Sequence, residues 1–198
     1  MRFLNIELLS VWEMIRLTGF ISLFLLLLSI ICGGLMSVFQ PKNKAKVYLQ
    51  FTHQSAGWLS LWIGFGHGIL LYFDTFISFS LIEIFIPFTA QFERFWSGMG
   101  TISLWLLVVV ILSTDLKKKF SHRTWQTIHR LSFPLFPFAL LHGFMIGTDR
   151  LEPWAQTTYA FMSIIFLLTI VFIAMKRTLK TKKKTIEKPV IAKQGYHQ

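Results

Sequence analysis

Four histidines stand inside apolar stretches of this 198-residue chain, in two pairs of nearly matched spacing. His53 and His67 are 14 residues apart in one stretch, and His129 and His142 are 13 apart in another. An ionisable side chain in hydrocarbon is costly, so histidines there are candidates for ligation or proton relay. Two pairs at almost the same separation suit two helices that hold two flat cofactors, one above the other, and the chemistry this implies is haem ligation. Two other readings stay open. The imidazoles could hydrogen-bond between helices or line a polar cavity, or they could serve a metal or proton transporter. A transport pathway would call for carboxylates within the spans, whereas Asp74 and Asp115 stand only at span ends.

The elements that must position these residues are membrane helices. The chain is 54% hydrophobic, and five segments approach the roughly 20 apolar residues that cross a bilayer. They run over about 17–39, 51–73, 95–114, 125–147 and 155–175. Each must be helical, because lipid offers no partner to an exposed backbone group. The expected fold is therefore an all-α membrane protein, a bundle of about five transmembrane helices with interfacial amphipathic segments. Residues 1–16 form one such N-terminal segment, with no cleavage site of a signal peptide, and 76–92, interrupted by Glu83 and Pro87, form another. The membrane domain occupies 17–175, and the basic tail 176–198 reads as disordered. Cys32, the single cysteine, excludes an internal disulfide and any CxxC metal site.

The net charge of +11 does not point to nucleic acid, because the lysines flank hydrophobic spans. Lys42, Lys44 and Lys46 follow the first span, Lys117, Lys118, Lys119 and Arg123 follow the third, and the tail is rich in lysine. Arg2, Arg16, Arg94 and Arg150 fall on the opposite side with most of the acids. The positive-inside rule then places the N-terminus outside and the C-terminus in the cytoplasm of a multi-pass cell-membrane protein, expected to be a bacterial plasma-membrane one. The tail itself reads as an anchor on anionic lipid or a strip for an acidic partner.

In this topology the second and fourth spans run parallel. His53 and His129 share the inner depth, and His67 and His142 share the outer one, one imidazole from each helix at each level. Fourteen residues rise about 21 Å and make close to four turns, so His53 and His67 share a face. Thirteen residues on an ideal helix leave His129 and His142 about 140° out of phase. Pro134 and Pro137 lie between them and are expected to supply the correction. Gly57, Gly64, Gly66, Gly68 and Gly143 cluster near the histidines and suit either close helix packing or the approach of a planar ring. His122, in the basic loop, and His197, in the tail, read as solvated.

With these residues placed, the chain resembles the ferric reductase-like transmembrane superfamily, which includes ferric reductases, NADPH oxidases and the haem subunit of bacterial methionine sulfoxide reductase systems. The likeness rests on the two histidine spacings, on Trp125-Gln-Thr-Ile-His129-Arg130-Leu131, and on Arg16-Leu-Thr-Gly19 at the first span, and it covers about residues 16–176. The resemblance implies two b-type haems (one remains possible), ligated by His53 with His129 and by His67 with His142, the four metal ligands to haem iron. It also implies that Arg130 pairs with a propionate of the inner haem and Arg16 with one of the outer haem, and that Trp125 is an interfacial anchor or a haem contact. No side chain is expected to be catalytic in its own right.

Many relatives continue into a flavin- and nicotinamide-binding domain, and nothing here resembles a Gly-rich dinucleotide fingerprint. The expectation is an oxidoreductase or its electron-transfer subunit, with no flavin or nicotinamide in a domain of its own. Electrons would come from a separate donor, a cytoplasmic flavoprotein or membrane quinol. They would go to an outer acceptor such as a ferric chelate, oxygen or a partner reductase. A non-catalytic haem-binding membrane anchor is the blander alternative.

Overall fold

The computed structural model describes residues 10–39 and 43–194, and no strand occurs among them. Seven α-helices follow in order: α1 (Val11–Phe39), α2 (Asn43–Tyr72), α3 (Leu81–Phe85), α4 (Arg94–Asp115), α5 (His122–His129), α6 (Ser132–Ile146) and α7 (Pro153–Gln194). A single 3₁₀ turn, Lys117–Lys119, links α4 to α5.

Among the described residues three helices are long and apolar enough to cross a membrane on their own: α1, α4, and residues Pro153–Lys176 of α7. The two expected spans that carry the histidines differ from these. α2 has the length, at 30 residues, but its apolar side chains are diluted by Gln50, His53, Gln54 and a run of glycine and serine. The fourth expected span is not continuous. It breaks at Arg130 and Leu131 into the 8-residue α5 and the 15-residue α6.

The break has a local cause. Pro134 and Pro137 have no N–H for the carbonyls one turn earlier, and the chain tightens just before them. Leu131 N–H reaches Ile128 O at 2.9 Å and Phe133 N–H reaches Arg130 O at 3.1 Å, both three-residue steps. A 3₁₀ step turns the chain about 120° per residue against 100° for an α-helix, so the tightened segment advances the phase. Two such steps supply about 40° of the roughly 140° that separates His129 from His142 on an ideal helix, so the break is one part of what sets the two rings on a common side.

The N-terminal expectation needs a related correction. Residues 1–9 lie outside the described residues, and Val11–Arg16 are the first turns of α1 itself, with no boundary at 16. A capping box sets this start: Ser10 N–H donates to the Glu13 carboxylate at 2.8 Å, and Glu13 N–H donates to Ser10 Oγ at 3.3 Å. The same Ser-x-x-Glu device at Ser80 and Glu83 opens α3. This helix is only five residues long, so 76–92 is a folded loop and not an extended amphipathic helix. Ile86 is extended (φ −106°, ψ 116°) because the residue before Pro87 is disfavoured in the helical region. Phe79, Ile84 and Ala90 bury themselves beneath the loop. At the other end, the backbone of α7 stays helical to Gln194, where the sequence suggested a disordered tail.

α1 packs along the whole of α2, α4 packs on α6, and α7 closes the bundle against α1. The core joins Leu23, Leu27 and Ile30 of α1 to Leu107 of α4, Leu135 of α6 and Met162 of α7. Phe136 stacks on Phe166 with ring centroids 4.7 Å apart. Small polar residues let α1 and α2 approach closely: Ser22 Oγ donates to Ser60 O and Ser60 Oγ to Ser22 O, both at 2.9 Å. The outer surface is strongly apolar, with Phe24, Phe51, Trp62, Phe161, Leu167 and Leu168 each more than half exposed. Such a surface suits contact with lipid.

Candidate functional site

The four histidines form two pairs between α2 and the α5–α6 segment. The ring centroids of His53 and His129 lie 6.0 Å apart with planes at 71°, and those of His67 and His142 lie 6.3 Å apart at 87°. α2 and α5–α6 therefore run in the same direction, each contributing one imidazole at each of two levels. A metal–imidazole bond of about 2.0 Å, with about 1.1 Å more from nitrogen to ring centre, puts two imidazoles on opposite sides of one metal ion at roughly 6 Å between centres. Both separations fit that arrangement. Among the described residues no group of three or more His, Cys, Asp or Glu could hold a bare metal ion. Two lone imidazole pairs suit a metal whose other ligands come from a macrocycle.

Hydrogen bonds settle which nitrogen each ring offers. His53 Nδ1 lies 2.8 Å from Ser29 O, His67 Nδ1 2.9 Å from Ile15 O, and His142 Nδ1 2.8 Å from Trp96 O. A carbonyl can only accept, so each Nδ1 carries the proton and each Nε2 keeps its lone pair. That is the tautomer a histidine metal ligand needs, with the ring oriented by the carbonyl that accepts from its other nitrogen. Ser29 adds its hydroxyl, which donates to His53 O at 2.9 Å. His129 differs: its Nδ1 is buried without a hydrogen-bond partner, and its ring stacks on Trp125 at 5.2 Å and 24°. Lys117 Nζ in turn sits 4.1 Å from the centroid of the Trp125 ring.

A cavity of about 270 Å³ opens around His67 and His142, walled by Leu23, Leu26, Leu104 and Leu107 and reaching Arg16 and Asp149 at its mouth. Apolar walls with a few convergent polar groups are what a flat, largely hydrophobic cofactor requires. The residues present thus fit haem at this level by ring separation, tautomer and apolar lining, and at the other level by ring separation and by the tautomer of His53.

Arg16 lines the cavity around His67 and His142 but is ion-paired with Asp149, and its guanidinium also rests 4.2 Å from the centroid of the Trp12 ring. Arg130 is exposed at the break between α5 and α6, next to His129. Trp125, expected as an anchor or a cofactor contact, stacks on the His129 ring. His122 is exposed and hydrogen-bonds Gln126 at 3.0 Å; His197 lies outside the described residues. Of the glycines singled out in the sequence, Gly57 and Gly64 face Ser29 and Ser22 of α1 and Gly68 faces Ile84, so these serve packing. Sequence reasoning missed the three carbonyl acceptors at Ile15, Ser29 and Trp96, since a backbone acceptor has no residue signature. It also missed Gly33 and Gly100, which lie against the rings of His53 and His142.

Residues 18–140 match a family model described as the ferric reductase like transmembrane component. No match was found among curated proteins, nor among solved structures. The matched region contains three of the four histidines and ends two residues short of His142.

Proposed function

The chain belongs to the ferric reductase-like transmembrane family, membrane electron-transfer modules, and we propose that it is a di-haem b-type cytochrome carrying electrons across the membrane. In this reading His53 with His129 and His67 with His142 each ligate one haem, within five spans oriented N-out and C-in. Haem bound there supplies a one-electron iron centre whose potential follows its ligands and surroundings. The chain's own residues do the rest. Carbonyls of α1 and α4 hold three imidazoles in the ligating tautomer, and the apolar faces of α1, α4 and α6 exclude water. With an imidazole from each of two elements at each level, a haem held there would leave no ligand site for substrate and would favour outer-sphere electron exchange. The level of His53 and His129 adjoins Lys117 and Arg123, the basic side that positive-inside assigns to the cytoplasm. A separate flavoprotein or quinol donor serves the inner pair, and a ferric chelate, oxygen or partner reductase accepts at the outer pair. Arg130 lies beside the inner pair, where its charge suits a propionate.

The observation that carries this reading is the pair of 6.0 Å and 6.3 Å ring separations. The test is a reduced-minus-oxidised spectrum with a pyridine haemochrome count on the purified protein. Two b-type haems per chain are expected, falling to one in His67→Ala and in His142→Ala. Protein without b-type haem overturns the proposal. If all four single-histidine variants keep the full count, the ligand assignment is wrong.

A further inference from the structure

The three carbonyl-bonded histidines share a device. His67 bonds the carbonyl of Ile15, and Gly19 follows one turn later. His53 bonds Ser29, followed by Gly33, and His142 bonds Trp96, followed by Gly100. In an α-helix the carbonyl of residue i points along the axis towards residue i+4. A side chain at i+4 therefore stands beside any ring that approaches this carbonyl from a neighbouring helix. A Cβ on Gly100 would lie 2.5 Å from both Cε1 and Nδ1 of His142. One on Gly33 would lie 3.1 Å from Cε1 of His53, and one on Gly19 3.2 Å from Cε1 of His67. Each glycine is thus the gap through which an imidazole reaches its acceptor, and each near contact is with the ring it admits.

His129 has no such cradle. Its ring lies face-on to Trp125, four residues earlier on the same helix, and Trp125 is itself held from outside. Lys117 caps its ring, and its Nε1–H points to Thr114 Oγ1 at 3.5 Å.

We infer that Gly19, Gly33 and Gly100 are positioning residues that admit His67, His53 and His142 to the backbone carbonyls fixing their tautomer, and that Trp125 holds His129 in their place by stacking. This rests on the haem reading, and it makes the two levels unequal. At the outer level both imidazoles are hydrogen-bonded through Nδ1; at the inner level only His53 is. A hydrogen-bonded imidazole is the more basic ligand and favours the ferric state, so ligand basicity lowers the potential of the outer iron relative to the inner one. Substitution at a cradle glycine pushes its ring off the carbonyl and acts on one level alone.

The experiment uses the purified full chain with haem counts, low-spin ferric electron paramagnetic resonance and redox titration. Wild-type protein shows two low-spin signals; the single-histidine variants assign them to levels. Gly100→Ala is expected to lose the outer haem or raise its midpoint with a changed g-value, while the inner signal stays. Gly33→Ala does the converse, and Gly19→Ala, with its longer contact, gives a weaker form of the Gly100→Ala result. Gly66→Ala, beside His67 but with nothing within 4 Å of the added carbon, leaves both signals unchanged and serves as the control. Trp125→Leu alters the inner signal, and Trp125→Phe, which keeps a stacking face, restores it. Unchanged potentials and g-values in Gly100→Ala and Gly33→Ala, or joint loss of both haems in each, overturn the cradle assignment. Absence of haem from the wild-type protein instead overturns the reading beneath it.

Discussion

The ion pair between Arg16 and Asp149 joins the first turns of α1 to the loop between α6 and α7, at the mouth of the cavity around His67 and His142. Removing one partner leaves the other charge without compensation, and the cost depends on how dry the site is. Exposed pairs contribute about 0–1 kcal/mol, whereas breaking a buried pair costs about 3–5 kcal/mol. The Asp149 side chain is 14% exposed and that of Arg16 29%, and Trp12 covers one face of the guanidinium. The pair falls between the limits, so the expected coupling is about 1–2 kcal/mol, a factor of roughly 5–30 in the unfolding equilibrium. The assay is a double-mutant cycle of Arg16→Gln, Asp149→Asn and the double variant, followed by reversible denaturant unfolding in detergent with tryptophan fluorescence. Each single variant should lose about the same stability, and the double variant scarcely more than either. A coupling energy below about 0.5 kcal/mol, the range expected of independent sites, refutes the reasoning. If Arg16→Gln shifts the outer haem midpoint while Asp149→Asn leaves it unchanged, the charge of Arg16 serves the cofactor and the ion pair is incidental.

Phe136, 1% exposed and stacked on Phe166, should cost about 3–5 kcal/mol as Phe136→Ala through the cavity it leaves, measured by the same unfolding assay. Ser60→Ala removes the Ser60 Oγ–Ser22 O bond and should cost about 1 kcal/mol; a loss near 3 kcal/mol would mean that the α1–α2 contact had itself rearranged. The Glu83 carboxyl is held below its ordinary value, chiefly by the N–H of Ser80, then by the Ser80 hydroxyl and the N–H of Gln91. A depressed folded-state value stabilises the loop above the ordinary carboxylate value of about 4.3, and that contribution disappears as pH falls through the folded-state value. Hydrogen exchange in residues 76–92, corrected for its intrinsic pH dependence, should therefore stay constant from pH 8 to pH 5 and accelerate in more acid solution. Glu83→Gln should flatten that profile; an unchanged profile in this variant would assign the acid sensitivity elsewhere.

Much of the site was legible because membrane chemistry makes histidine conspicuous. His53, His67, His129 and His142 could be singled out by cost alone, and the depth argument paired them as the ring separations do. The capping boxes at Ser10 and Ser80 are equally local, a hydroxyl and a carboxylate three residues apart that mark a helix start. Other features needed neighbours. The 13-residue spacing and the two prolines pointed to a disturbed helix after His129, but not to the residues at which the chain tightens; the three-residue hydrogen bonds on either side of Arg130–Leu131 locate it. Arg16 could be assigned to a cofactor from its position, but its partner Asp149 lies 133 residues away in sequence, beyond the reach of local pattern.

By itself, the sequence determined an all-helical, lipid-compatible chain with two histidine levels, because hydropathy, charge asymmetry and ligand chemistry are properties of residue types. Tertiary structure alone decided how each imidazole is held. Backbone carbonyls have no residue identity, and a glycine matters here only when a ring from another helix comes against it. The inequality between His129 on its tryptophan and the three histidines on their carbonyls is therefore a product of packing, invisible until α1, α2, α4 and α5 lie side by side.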